Sequence, residues 1–355
     1  MAGQSNIEWT DATWNPVTGC TRVSAGCDHC YAVAMTHRLE GASLGAPGGQ
    51  RDRGKIGLKY AGLTVVNGKG ERHFNGKVRC HEDVLRTPFF WKKTRRIFVN
   101  SMSDLFHPYV PFEFIDTVFA VMSLCPQHTF QILTKRPERM FAWFGRYAAM
   151  PARLAYRVGE EASRFLDCAK GGAANWTDDG ALSNVWLGTS VENQQTADQR
   201  IPYLLSCPAA VRFVSYEPAL GPVDFKMRPN GDRSICCQCG ERHEGSCFDH
   251  PHHRGLDWII VGGESGPGAR PMHSNWARAV RDQCKAASIP MFFKQWGEWL
   301  PAGEDGISKH GAIHANCSDE PIRVGKSRAG ATLDGREHRE FPTIANRQLA
   351  IGNPQ

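Results

Sequence analysis

Six short, continuous apolar runs, each closed by small or polar residues, constrain the fold of this chain more than any other feature. They are Ile97-Phe98-Val99-Asn100-Ser101, Phe130 to Lys135, Val185 to Ser190, Val211 to Glu217, Trp258 to Glu264, and Met291 to Gln295. Runs rich in β-branched and aromatic residues, unbroken by polar alternation, suit strands buried on both faces, as in a parallel sheet. Helical patterns lie between them. Phe114, Ile115, Val118, Phe119 and Met122 fall at helical spacing after Pro111. Trp276, Val280 and Cys284 do the same after Ser274, a predicted N-cap, with Pro290 just beyond the end. A further helix is predicted over 152–168. Strand alternating with helix predicts a right-handed α/β fold, either a barrel or a doubly wound sheet.

Polar residues favour the barrel. Asp104, Lys135, Glu192, Glu217, Glu264 and Gln295 stand at or just past the C-terminal ends of predicted strands, the edge where α/β folds carry their chemistry. Polar residues also follow any strand that emerges into solvent, so the set points to a site more firmly than any one member does. Three segments interrupt the alternation: a Gly-, Lys- and Arg-rich insertion at 41–80, a helix and Gly/Asp-rich loop at 150–183, and a Cys/His-rich insertion at 224–256. Residues 1–300 are thus expected to form the barrel with its insertions, and 301–355 a polar C-terminal extension.

The chain carries 13 cysteines in 355 residues. No run approaches the roughly 18 apolar residues of a membrane span. The opening MAGQSNIEWTDATW lacks an apolar signal core. A cytoplasmic chain with no membrane partner is expected, and there cysteines are not spent on disulfides. The odd number also excludes a fully paired framework. Six are scattered (Cys80, Cys125, Cys168, Cys207, Cys284, Cys317) and read as small buried hydrophobes. Forty-two Lys and Arg against 36 Asp and Glu give a formal charge of +6, mild enough to permit nucleic-acid binding without demonstrating it.

Cys20, Cys27 and Cys30 follow Asn15-Pro16-Val17-Thr18-Gly19 in a C-x6-C-x2-C pattern. Two thiolates three residues apart on a loop can converge on one metal centre, and a third can close over it; unrelated buried thiols are the alternative. Three protein thiolates are one short of the usual four for an iron–sulfur cluster or structural zinc, which leaves an open coordination position. Spacing alone does not separate iron–sulfur from zinc, for which His37, or less readily His29, is the candidate fourth ligand.

The stretches NPVTGC-x6-CDHCYA, IFVNSMSDLFH, QILTKRPER, VWLGTSVEN, VSYEPALGP, DWIIVGGESGPGARP and FFKQWGEW span most of residues 5–300. In that order they resemble the phage-associated three-cysteine-motif proteins, a radical SAM-like family distantly related to spore photoproduct lyase. The resemblance implies a partial (β/α)6-type TIM-like barrel with a [4Fe-4S] cluster on Cys20, Cys27 and Cys30. S-adenosylmethionine would chelate the open iron. It further implies hydrogen abstraction by a 5′-deoxyadenosyl radical from a nucleobase, nucleotide or nucleic acid, and a partner protein encoded nearby. The usual spacing in that superfamily is C-x3-C-x2-C, so this loop is longer by three residues.

By the same analogy Ser101, Ser103 and Asp104 stand where the methionine amino group is held. The Gly262-Gly263-Glu264 turn lets backbone approach adenine, and Thr189, Ser190 and Glu192 bond the ribose. Lys135, Arg136, Glu217 and Lys294 are substrate-binding candidates, the first two for a carboxylate or phosphate. Tyr31 either shields the cluster or packs inward at the start of a helix.

A second group of soft ligands, Cys236, Cys239, Cys247 and His250, with Cys237 or His243 as substitutes, reads as a four-ligand zinc site stapling the 224–256 insertion, the alternatives being a second iron–sulfur cluster or a metal-free loop. Arg86 to Arg96 (RTPFFWKKTRR) reads either as a nucleic-acid contact or as an amphipathic lead-in with Phe89, Phe90 and Trp91 in the core. Two other functions fit the composition: a zinc-dependent nucleic-acid-binding protein, or a metal-dependent nuclease or hydrolase using strand-end carboxylates.

Overall fold

A computed structural model describes residues 5–44, 57–146, 151–169, 174–225 and 255–343, apart from positions 6, 175, 178, 179, 309, 310 and 315–319. The second Cys/His group and Cys317 lie outside the described residues.

Seven strands form one sheet: β1 (Ala12–Trp14), β2 (Arg96–Val99), β3 (Thr129–Thr134), β4 (Val185–Val191), β5 (Val211–Tyr216), β6 (Trp258–Gly262) and β7 (Met291–Gln295). They lie in sequential order and every neighbouring pair is parallel. The longer helices are α1 (Tyr31–Leu44), α2 (Phe112–Ser123), α3 (Pro137–Gly145), α4 (Pro151–Ala162), α5 (Gln194–Leu205) and α6 (Ser274–Ala286). Sequential parallel order, with helices between strands, is the arrangement of a partial TIM-like barrel. It has seven strands where the sequence predicted six.

The six apolar runs become β2 to β7. The extra strand, β1, is three residues long and too short to carry a periodic signal. Tertiary pairing makes it. The Arg96 amide donates to Asp11 Oδ2 at 2.7 Å, and the Asp11 amide donates back to the Arg96 carbonyl at 2.9 Å.

Both sheet faces are buried, which is why the runs do not alternate with polar residues. Ile97, Val99, Phe130, Ile132 and Val214 face the helices and join the main core. Phe98, Trp186, Phe213, Trp258 and Phe292 face the concave side, where Trp9 fills the lumen. Trp258 sits at the centre of that plug, with ring centroids 5.7 Å from Phe213, 5.8 Å from Trp186 and 5.2 Å from Phe341. Phe341 belongs to the C-terminal extension, so residues up to 343 complete the barrel floor. Trp258 Nε1 donates to the Glu340 carbonyl at 2.8 Å, and the Phe293 amide to the His338 carbonyl at 2.8 Å.

Several local expectations are refined. The cap of α6 is His273, whose Nδ1 accepts from the Asn275 amide at 3.1 Å; Ser274 is the first helical residue and is buried. The helix predicted over 152–168 is α4 followed by a tighter 3-10 turn, Ser163–Phe165. In the basic–aromatic stretch Phe89 is buried and Trp91 packs against the core, but Phe90 is 69% exposed. Cys125, Cys207 and Cys284 are buried, as small core hydrophobes should be, whereas Cys80 and Cys168 are only partly buried against the core. The described part of the 41–80 insertion folds on the barrel mouth. It carries a hairpin (Thr64–Val66 with Arg72–Phe74), and Arg79–Cys80 pairs antiparallel with Val17–Thr18 at the root of the cysteine loop. No helix among the described residues is long and apolar enough to cross a membrane.

Candidate metal centre at the mouth of the barrel

The loop from Gly19 to Cys30 leaves β1, makes a 3-10 turn at Ala25–Cys27 and enters α1 at Tyr31. It lies across the C-terminal ends of the strands. Cys20, Cys27 and Cys30 line one cavity of about 150 Å³ together with Asn100, Ser101, Ser103 and Lys135. Sequence separates these residues by up to 115 positions; the barrel mouth brings them together.

Three sets of buried charges hold the loop there. At the first, Arg136 is held by Asp104 at 2.9 Å and donates to both the carbonyl and Oγ1 of Thr21, at 2.9 and 2.7 Å. Its guanidinium also lies 3.8 Å from Cys20 Sγ. Asp104 accepts three more bonds, from Thr134 Oγ1 and the amides of Phe106 and Lys135. At the second, Glu192 accepts from Ser24 Oγ at 2.9 Å, Lys135 Nζ at 2.6 Å and Arg200 at 3.0 Å. Gly26 rests directly on that carboxylate: a Cβ there would stand 2.4 Å from Glu192 Oε1, so only glycine fits. At the third, Glu264 binds Arg270 through both oxygens and accepts from His29 Nδ1 at 3.0 Å. Arg270 in turn reaches the Ala25 carbonyl and Asp28.

The predicted cofactor and substrate residues divide accordingly. Asp104, Glu192, Glu264 and Arg136 spend their hydrogen bonds on the cysteine loop and its neighbours. Thr189 donates to the Thr134 carbonyl between strands, and Ser103 to the Val17 carbonyl. Gly263 packs against the Trp296 carbonyl, which a Cβ would meet at 1.9 Å. Ser101, Lys135 and Ser190 line the cysteine cavity. Glu217 and Lys294 pair with each other at 2.6 Å in a second cavity of about 310 Å³, which Gly263 and Glu264 also line. The two cavities adjoin, sharing Cys30, Tyr31, Phe98, Leu133, Lys135 and Ser190. Tyr31 is half exposed and donates to the Ser101 carbonyl, closing α1 against the segment after β2.

Several residues of the site carried no signal in the sequence. Asn100 is buried in a left-handed conformation (φ 61°), and its Oδ1 accepts from the Val17 amide at 3.1 Å. Arg270, Ser24, Thr21 and His107 act only through contacts made in the folded chain. Tyr109 N–H donates to His107 Nδ1, so the neutral ring carries its proton on Nε2 and donates to Thr21 Oγ1 at 2.9 Å.

Burial, with the Asp104 carboxylate adding to it, pushes the Cys20 thiol up to about 12, and burial also raises Cys30. Both are thiols at neutral pH, so metal binding there releases protons. Among the described residues no three His, Cys, Asp or Glu side chains close round a point as a single ion requires. His29 is engaged by Glu264, and His37 is exposed on α1. The three thiols share one cavity wall without a fourth His, Cys, Asp or Glu closing a four-ligand site among the described residues.

Burial, then Lys59, lowers His81 to about 4; burial, then Arg136, does the same to His107. Unfolded chain takes up these protons as pH falls through the ordinary 6.5, whereas the folded protein does not until about 4. Stability is therefore expected to be full above that upper value and to fall progressively between the two. Thermal melts across this range test it: a flat melting temperature would contradict the burial of the two rings.

A family model matches residues 4–342. The chain belongs to the DUF5131 family, described as proteins of unknown function. No curated protein and no solved structure matches it. In this DUF5131 chain the family match covers the whole sheet, the cysteine loop and both cavities, so they belong to one unit.

Proposed function

We propose that this protein is a radical SAM-type enzyme, with Cys20, Cys27 and Cys30 as the protein ligands of a [4Fe-4S] cluster. The observation that carries the reading is the trio of cysteines lining one cavity at the C-terminal mouth of a partial barrel. When bound, such a cluster supplies an open iron for S-adenosylmethionine and the electron that cleaves it to a 5′-deoxyadenosyl radical. The protein's part is to seat the loop and limit water. Arg136 lies beside Cys20 and Lys135 at the cavity wall, where their N–H groups can reach thiolates although Asp104 and Glu192 already pair with their charges. Asp104 (through Arg136), Glu192 and Glu264 tie the loop to the barrel mouth. The second cavity, opening beside Cys30 and Tyr31, takes the substrate, for which the resemblance favours a nucleobase, nucleotide or nucleic acid.

The hydrolase reading asks strand-end carboxylates to work on a substrate. Asp104, Glu192 and Glu264 are each committed to two or more cationic or hydrogen-bonding side chains, which counts against it. Anaerobic reconstitution with iron and sulfide, then dithionite reduction with S-adenosylmethionine, tests the proposal. A brown protein that releases 5′-deoxyadenosine is the expected result. A colourless protein that retains only zinc would overturn it.

A further inference from the structure

Three of the four ion pairs or networks at the strand ends hold the cysteine loop; the fourth, Glu217 with Lys294, does not. Lys294 lies on β7 and Glu217 just past β5, with β6 between them in the sheet. The pair bridges β6 at Gly262, where a Cβ would stand 3.2 Å from Glu217 Cδ. A side chain at that position would crowd the carboxylate by a few tenths of an ångström. Among the described residues, the hydrogen bonds of these two side-chain ends are to each other, at 2.6 Å, and the side chains are only 15% and 21% exposed. A largely desolvated ion pair contributes little stability of its own. This one anchors no segment and lies on the floor of the second cavity.

The rest of that cavity narrows what it takes. Trp9, Phe98, Leu133 and Pro218 supply apolar wall. Three lysines (Lys135, Lys294, Lys326) are matched there by three glutamates (Glu8, Glu217, Glu264), so a polyanion gains no net attraction. Lys326 is already paired with Glu8 at 3.1 Å, and Lys135 with Glu192. What the floor offers is a donor, the Lys294 ammonium, beside an acceptor, the Glu217 carboxylate. A flat ligand edge with an acceptor next to a donor satisfies both.

We propose that the second cavity is a binding site for a planar, uncharged nitrogen heterocycle bearing an amide or amidine edge, read by Lys294 and Glu217 across Gly262. The site does not depend on the cluster, so it is testable on the protein as purified, whether or not the radical SAM reading survives. It deepens that reading only if the bound heterocycle is also the substrate.

Isothermal titration calorimetry with thymidine, cytidine, guanosine and adenosine, and with benzoate and inorganic phosphate as charged controls, provides the test. At least one of these nucleosides is expected to bind the wild-type chain, and the controls are expected not to. Gly262→Ala crowds Glu217 without removing any charge, and the double variant Glu217→Leu/Lys294→Met removes the pair without leaving either charge unpaired. Each is expected to weaken the nucleoside about tenfold or more, the loss of a hydrogen bond to a charged group, while melting like wild type. Binding of phosphate or benzoate instead, no binding at all, or affinity unchanged in both folded variants overturns the proposal.

Discussion

Cys27→Ala is expected to abolish iron incorporation and 5′-deoxyadenosine release while leaving the melting temperature of the metal-free protein within a degree or two of wild type, as about 0.5 kcal/mol or less implies. Cys27 sits in a 3-10 turn with no buried residue, and its side chain supports no core cluster. Its Sγ faces the cavity shared with Cys20 and Cys30. Losing one of three ligands leaves two, too few to hold a cluster that already lacks a fourth protein thiolate. Cys207→Ala should behave in the opposite way. That thiol is buried beneath α5 and donates to the Tyr203 carbonyl, so its loss destabilises the fold and spares iron. If both variants lost iron equally without unfolding, the three-cysteine assignment would be wrong. Iron content by colorimetric assay and thermal melts on the same samples decide between the two patterns.

Asp104→Ala is expected to cost about 3–5 kcal/mol of stability, because it strands a buried guanidinium. Arg136 is 5% exposed at its side chain, and Asp104 is its one carboxylate partner at hydrogen-bond distance among the described residues. The same change orphans Thr134 Oγ1 and the amides of Phe106 and Lys135. It also frees Arg136 from the geometry in which it holds Thr21, so the Cys20 end of the loop should loosen as well. Adding Arg136→Met removes the uncompensated charge and should restore part of the lost stability, though not the seat of the loop. Urea denaturation of the metal-free protein gives the comparison. A cost below about 1 kcal/mol for Asp104→Ala would mean that the buried network is not what anchors the loop.

The sequence by itself determined the alternation of strand and helix, and with it the fold class. Strands buried on both faces must be continuously apolar, and such runs are legible without any tertiary knowledge. It also determined that Cys20, Cys27 and Cys30 lie together, because chain connectivity keeps residues so close in sequence close in space. It placed the polar residues at the sheet edge correctly but could not say what they do there. The tertiary structure decided that Asp104, Arg136, Glu192 and Glu264 serve the cysteine loop, since a carboxylate's role depends on which partners arrive from far along the chain. Ser24 lies 168 residues from Glu192, and His29 lies 235 from Glu264. The structure also created β1 from three residues with no strand signal, and moved the cap of α6 from Ser274 to His273. The pairing of Glu217 with Lys294 is likewise tertiary, because it exists only where the absence of a side chain at Gly262 lets two strands reach across a third.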